Sequence, residues 1–296
     1  MKQRALLKGH GLALFTVSVW GTTFISTKIL LAAFHPVELI LLRFTMAWAV
    51  LFLMSPRPLK PTGWRQELTF MGAGLTGLTL YFLLENSALS YTLASNVGII
   101  ISAAPLFTAL LLWGFRMAPR PGAGLLVGFV IALSGITLLS LGNGAGLSAD
   151  LLGNLLTVGA ALSWGFYSVF TAKLRDCGYT TLQATRKVFF WGVLFTIPVW
   201  LFTGTQPQWT ALTQPVMAGN LLYLGLIASA MCYVTWSRSM AIIGTTATSV
   251  YIYLTPVITM AASAWILGER ITPTAILATG LILVGLWLSQ RGLKNN

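Results

Sequence analysis

The chain has 296 residues, of which 56% are hydrophobic and 8% charged, with a mean hydropathy of +0.80 and a formal net charge of +12. So apolar a sequence has no polar coat to present to water, which excludes a soluble enzyme or binding module and points to an all-α integral membrane protein. Its basic residues are scattered between apolar runs with no aromatic-interleaved patch, so they argue for membrane topology rather than nucleic acid.

The amino-terminal stretch opens with Lys2, Arg4 and Lys8, like a signal peptide. Its apolar continuation reaches Ala33, beyond the roughly 7–15 residues of a signal-peptide core, and predicts an uncleaved first helix. A bilayer crossing needs about 20 apolar residues. Ten runs meet that demand, near 11–33, 36–54, 67–88, 91–114, 122–141, 152–172, 181–203, 217–237, 246–267 and 273–290. Turn-forming residues separate them, among them His35-Pro36, the 55–67 stretch, Ala118 to Pro121, Gly142 to Gly144, Asp176 to Gly178, Gly204 to Pro207 and Thr272-Pro273. Cys177 falls in a connection and Cys232 in a helix, which predicts no disulfide.

Positive charge orients the bundle. Lys2, Arg4 and Lys8 precede the first run; Arg57, Lys60 and Arg65 follow the second, Arg116 and Arg120 the fourth, Lys173 and Arg175 the sixth, and Arg238 the eighth; Arg291 and Lys294 close the chain. The even-numbered connections and both termini therefore face the cytoplasm. Only Arg270, beside Glu269, and Lys28 lie toward the other side.

The sequence repeats itself. Trp20-Gly21 matches Trp164-Gly165, Arg43 falls on Arg186, Gly74 on Gly225, and Pro105 on Pro256, at offsets of 143 to 151 residues. This divides the chain into 1–144 and 145–296. Five helices per half is an odd number, so the second half enters the membrane from the opposite face and the repeat is inverted. Such repeats place a substrate site near the midplane between halves that rock to open each face in turn.

A Trp-Gly in the first helix, Pro36 with Arg43-Phe44 opening the second, a small-residue-plus-proline fourth helix and Leu267-Gly268-Glu269-Arg270 before the tenth resemble the EamA-type branch of the drug/metabolite transporter superfamily. The resemblance covers the whole chain and implies export or exchange of small metabolites, commonly amino acids, across the bacterial cytoplasmic membrane. Phe115-Arg116-Met117 in the first half departs from the Gly-Glu-Arg turn of the second.

Candidate site residues follow from polar side chains inside the apolar runs. Trp20, Thr23, Phe24 and Thr27 share one helical stripe, repeated by Trp164, Tyr167, Ser168 and Thr171. Such stripes glue helices together or wall a cavity; their matched placement in both halves favours the cavity. Pro105 and Pro256 remove a backbone donor, so the carbonyls of Ile101 and Ile252 need partners or form hinges. Asn96, Ser102, Thr248, Tyr251 and Thr255 surround them, with Thr248, Tyr251 and Thr255 expected on one face. Tyr81 and Glu85 share a face of the third helix. Counting turns puts Glu85 in its last turn, where an interfacial carboxylate is expected, with proton coupling or ammonium binding as the alternative. Arg43 and Arg186 are expected to anchor their helices, Glu38 lying near Arg43. Gly124, Gly128, Gly135, Gly280 and Gly285 mark the fifth and tenth helices as close-packed scaffold.

No nucleotide-binding glycine loop, paired metal ligands or nucleophile-base-acid set is visible, so cofactor, metal and catalytic residues are predicted to be none. Membrane enzyme and non-transporting scaffold rank below a carrier. The substrate-binding candidates are Trp20, Thr23, Tyr81, Glu85, Asn96, Trp164, Tyr167, Tyr251 and Thr255, with Pro105 and Pro256 as hinges. The expected partners are a small-molecule substrate and the lipid bilayer, with protons as candidate coupling ion and no partner chain required. Amino acids, aromatic ones included, are the first substrate expectation; a quaternary or aromatic drug is the second.

Overall fold

A computed structural model describes residues 2–56, 59, 63–120, 122–141, 149–174, 177–243, 248 and 251–294. Among them all regular structure is helical. The segments are α1 (Lys2–Leu30), α2 (Pro36–Met54), α3 (Trp64–Leu89), α4 (Ala94–Gly114), α5 (Ala123–Leu141), α6 (Ala149–Lys173), α7 (Thr181–Thr203), α8 (Pro215–Leu222, Tyr223–Met231 and Cys232–Ile243 in one run), α9 (Tyr251–Leu267) and α10 (Pro273–Lys294). By length and composition α1 to α8 each hold a stretch able to cross a membrane, while α9 and α10 contain the shorter apolar helices Tyr251–Leu267 and Pro273–Ser289. The junction at 144 and 145, and the basic residues Arg57, Lys60 and Arg175, lie outside the described residues.

Helices dominate because hydrocarbon offers no hydrogen bonds, and a helix satisfies its own backbone. Their ends use local chemistry. At α2, Pro36 occupies the first turn, His35 Nδ1 accepts from Val37 N–H, and Glu38 Oε2 accepts from His35 N–H at 2.8 Å. Glu38 is therefore a cap and not the partner of Arg43. Thr180 and Gln183 cap α7 reciprocally, and α7 and α9 end on Gly204 and Gly268 in the left-handed region, at φ +63 and +67.

Two departures from ideal helix fall in α3 and α8. Leu75–Leu80 in α3 and Tyr223–Met231 in α8 are π-helical. Glycines there let neighbours approach: a Cβ on Gly74 would stand 2.7 Å from Gly192 N, and one on Gly225 would stand 2.5 Å from Met46 Cε. In α4 the helix breaks at Ser102 and Ala103 and restarts with Pro105 in its first turn. In α9 a 3-10 turn, Tyr251–Leu254, precedes Pro256 in the same way. Each proline thus begins a new helix where a single bent one was expected, because a ring without N–H fits a first turn better than an interior.

Packing runs mostly between distant parts of the chain. α1 lies on α8 and α9, α2 on α7 and α8, α3 on α6 and α7, and α4 on α6 and α9, while α5 packs on α10. The α5–α10 contact is glycine-mediated: a Cβ on Gly128 would meet Gly285 O at 2.2 Å, and one on Gly135 would meet Ala278 O at 2.9 Å. Gly280, expected in the same scaffold, faces open space instead. Where α1, α4 and α9 meet, Thr259 Oγ1 donates to Gly21 O at 2.7 Å and its side chain fills the space left by Gly98. Large apolar side chains point outward, Phe202 at 92% and Trp265 at 88% exposure, as a lipid-facing surface demands.

Candidate functional site

A cavity of about 790 Å³, including its open mouth, lies among α1, α2, α3, α4, α6, α8 and α9. From α1 come Trp20, Thr23 and Phe24, at helical spacing on one face. Trp20 Nε1 donates to Ala228 O at 3.1 Å, and its ring stands 5.2 Å from Trp236 and 6.1 Å from Tyr233, so the indole is held from α8. Thr23 Oγ1 donates to Trp20 O at 2.7 Å and keeps acceptor capacity.

Opposite, α3 supplies Tyr81, Phe82 and Glu85, all beyond its π stretch. Tyr81 packs 5.2 Å from Trp164 of α6 and 4.7 Å edge-on to Phe82. Its hydroxyl is hydrogen-bonded to Glu85. Glu85 is buried, with Oε1 unpartnered. Glu85 thus faces the protein interior. Turn counting gives depth along a helix, but α3 turns this side chain inward to the cavity wall.

Arg43 is the other charge on the wall. Its Nε donates to Ser229 Oγ at 2.7 Å, and its guanidinium carbon lies 4.6 Å from the Phe82 ring and 5.1 Å from Phe44. Arg186, which the sequence aligns with it, takes a different place: it donates to Ser55 O at the end of α2 and stands 5.4 Å from the Phe52 ring. Arg43 was expected as an anchor, and its cavity position could not be read from depth alone.

The broken helices complete the wall. Ile101, Ser102, Ala104 and Pro105 line it from α4, and Ile252 and Thr255 from α9. Ser102 Oγ donates to Ile99 O at 2.6 Å rather than to Ile101. Pro256 is buried immediately behind Thr255.

Trp20, Thr23, Tyr81, Glu85, Trp164, Thr255 and Pro105 therefore share one space, and Pro256, Tyr167, Asn96 and Tyr251 do not line it. Tyr167 stands behind Trp164, 4.9 Å between ring centroids, filling the notch at Gly77. Asn96 turns back one helical step, its Nδ2 donating to Thr92 Oγ1 at 3.0 Å. Tyr251 hydrogen-bonds His10 Nδ1 at 2.8 Å, near the start of α1. Thr248, expected beside it, is 3.2 Å from Ser239 Oγ. For Tyr251 the 3-10 turn explains this. With about three residues per turn it rotates positions before Thr255 out of the phase that 3.6 residues per turn predicts. Phe82 and Tyr233 were not foreseen, because neither carries a pattern that separates a cavity aromatic from a packing one.

One turn beyond Phe24, the last turn of α1 closes against the other helices. Glu269, between α9 and α10, accepts from Ala94 N–H at 2.8 Å, Ser95 N–H at 3.1 Å and Ser95 Oγ at 2.8 Å, so it caps the start of α4. Lys28 Nζ donates to the same carboxylate and, at 2.9 Å, to Thr92 O. Thr92 Oγ1 reaches Asn154 Oδ1 of α6 at 3.3 Å.

Apolar outer faces, membrane-length helices and an aromatic internal cavity carrying two charges define a multi-span membrane protein of the transporter class. The EamA-like transporter family model matches the chain twice, over residues 7–141 and 151–290, and the chain belongs to that family. It is 30% identical over 293 residues to an uncharacterized transporter of Archaeoglobus fulgidus, covering 95% of this chain and 97% of that one. It is 27% identical over 291 residues to a probable amino-acid metabolite efflux pump of Escherichia coli K12, covering 96% and 95%. A solved crystal structure superimposes with a TM-score of 0.65 at 20% identity, covering 100% of both chains, which shows a shared fold.

Proposed function

We propose that the protein is a secondary transporter that exports or exchanges small metabolites, amino acids foremost, across the bacterial inner membrane by alternating access. Ten spans form two inverted halves, residues 1–144 and 145–296, with both termini cytoplasmic. The single observation that carries this reading is the cavity, whose walls come from both halves. The packing pattern supports the duplication. Exchanging each helix for the one five places on turns the contacts of α1 with α8 and α9 into those of α6 with α3 and α4, and α2–α7 and α5–α10 pair counterparts, as a two-fold relation requires. Paired π stretches and paired proline breaks obey the same exchange.

Amino acids are favoured because the cavity joins aromatic surfaces to one cation and one anion, and because a relative of similar length is named an amino-acid metabolite efflux pump. Trp20, Thr23, Tyr81, Glu85, Trp164 and Thr255 contact substrate, and Pro105 and Pro256 mark the hinges. Protons are the candidate coupling ion, and the chain performs transport rather than catalysis. One observation favours a second substrate class: the aromatic walls with a carboxylate also suit a quaternary or aromatic cation.

The test is counterflow of labelled amino acids in proteoliposomes, with and without a pH gradient. Accumulation driven by unlabelled amino acid on the far side is the expected result. Absence of counterflow for amino acids and organic cations alike, or labelling that puts the two termini on different sides, would overturn it.

A further inference from the structure

Arg43 and Glu85 stand on the wall of one cavity but are not joined to each other. Neither takes part in the ion pairs Lys28–Glu269 and Lys187–Glu67. The two cavity charges are held apart by separate partners, Ser229 on the guanidinium Nε and Tyr81 on the carboxylate. A guanidinium has five N–H donors. The one on Nε is taken by Ser229, and the guanidinium lines the cavity. Glu85 keeps Oε1 buried without a partner.

Opposite charges buried near one another and left unjoined are unfavourable unless something else completes them. The missing group must present an anion to Arg43 and a cation to Glu85 within one small space. An α-amino acid zwitterion does this with two charges on one carbon. The planar fork of Arg43, steadied by the Phe44 and Phe82 rings, matches a carboxylate with two parallel N–H bonds. An ammonium fits Glu85, with the aromatic rings of Tyr81 and Trp164 on the same cavity wall.

We propose that Arg43 and Glu85 form a zwitterion clamp, Arg43 taking the α-carboxylate and Glu85 the α-ammonium of an amino acid whose side chain lies against the aromatic walls. This rests on the transport reading above for its biological meaning, but it is a statement about binding and is tested as one.

The experiment titrates the purified full-length protein in detergent with L-phenylalanine, 2-phenylethylamine and 3-phenylpropionate, following the fluorescence of the tryptophans that line the cavity. Wild type is expected to bind phenylalanine at least tenfold tighter than either single-charge analogue. Glu85→Gln is expected to erase the advantage over 3-phenylpropionate while leaving the binding of 3-phenylpropionate intact. Arg43→Gln is expected to erase the advantage over 2-phenylethylamine. Should Arg43→Gln not fold, Glu85→Gln carries the test alone. Phenylalanine failing to bind, 2-phenylethylamine binding as tightly as phenylalanine, or Glu85→Gln weakening all three probes equally would each overturn the clamp. Failure of the transport reading looks different: the clamp signature persists while counterflow is absent.

Discussion

The Nζ of Lys28 and the Oε1 of Glu269 lie 3.1 Å apart, tying the last turn of α1 to the turn between α9 and α10. Burial pushes the Glu269 carboxyl upward, but the N–H groups of Ala94 and Ser95, the Ser95 hydroxyl and the Lys28 ammonium together outweigh it and hold the group below the usual carboxylate range. A carboxylate whose folded value is depressed contributes stability at pH above its unfolded value and loses it as pH falls through the folded one. Glu269→Gln should therefore lower stability by about 1–3 kcal/mol at neutral pH, the scale of hydrogen bonds to a charged group. Thermal unfolding in detergent at neutral and acidic pH checks this. The gap between variant and wild type should narrow in acid, and an unchanged gap would show that the charge contributes nothing.

Gly128 and Gly280 make a matched pair for testing the α5–α10 contact. A methyl on Gly128 would meet Gly285 O and Ser289 Oγ, each at 2.2 Å, whereas nothing lies within 4 Å of one on Gly280. Gly128→Ala should cost about 1–3 kcal/mol from overpacking. Gly280→Ala should stay within about 0.5 kcal/mol of wild type. Unfolding midpoints of the two variants decide it.

Pro105→Ala and Pro256→Ala should slow transport more than they lower expression. Alanine lets helix continue through each break and so stiffens the joint next to Ile101 or Ile252 on the cavity wall. A tenfold slower exchange, about 1.4 kcal/mol on the barrier, is the expected scale. Normal flux in both variants at normal expression would remove the hinge role.

Tyr167 should act on substrate only through Trp164. Tyr167→Phe keeps the ring that stands 4.9 Å behind Trp164 and should bind as wild type. Tyr167→Ala removes an aromatic pair worth about 0.5–1.5 kcal/mol, so phenylalanine affinity should fall roughly two- to tenfold. Equal losses in both variants would instead put the hydroxyl itself on the ligand.

Much of the architecture is legible in the sequence because hydrocarbon thickness imposes a length on every apolar run. α2 and α7 begin and end where the apolar runs and turn residues place them. The site is less legible, since depth along a helix is countable but azimuth depends on neighbours. Glu85 illustrates this: its turn number is right, and its inward direction follows a π stretch that only Gly74 and Gly77 hint at. Tyr251 fails for a related cause, the 3-10 turn that shifts its phase against Thr255. Asn96 and Thr92 belong to a local hydrogen-bonded corner with Lys28, which joins residues too far apart in the chain for spacing to reveal.

The outward side chains of Phe202 and Trp265 carry a last implication. Among lipid tails, hiding such groups gains almost nothing, so greasiness supplies no cohesion between helices there. What keeps these helices together is intimacy of fit, backbone against backbone at Gly128 and Gly285 and a threonine seated on Gly21 and Gly98. In this molecule one misplaced methyl at a crossing should therefore matter more than the loss of a whole aromatic ring from the rim.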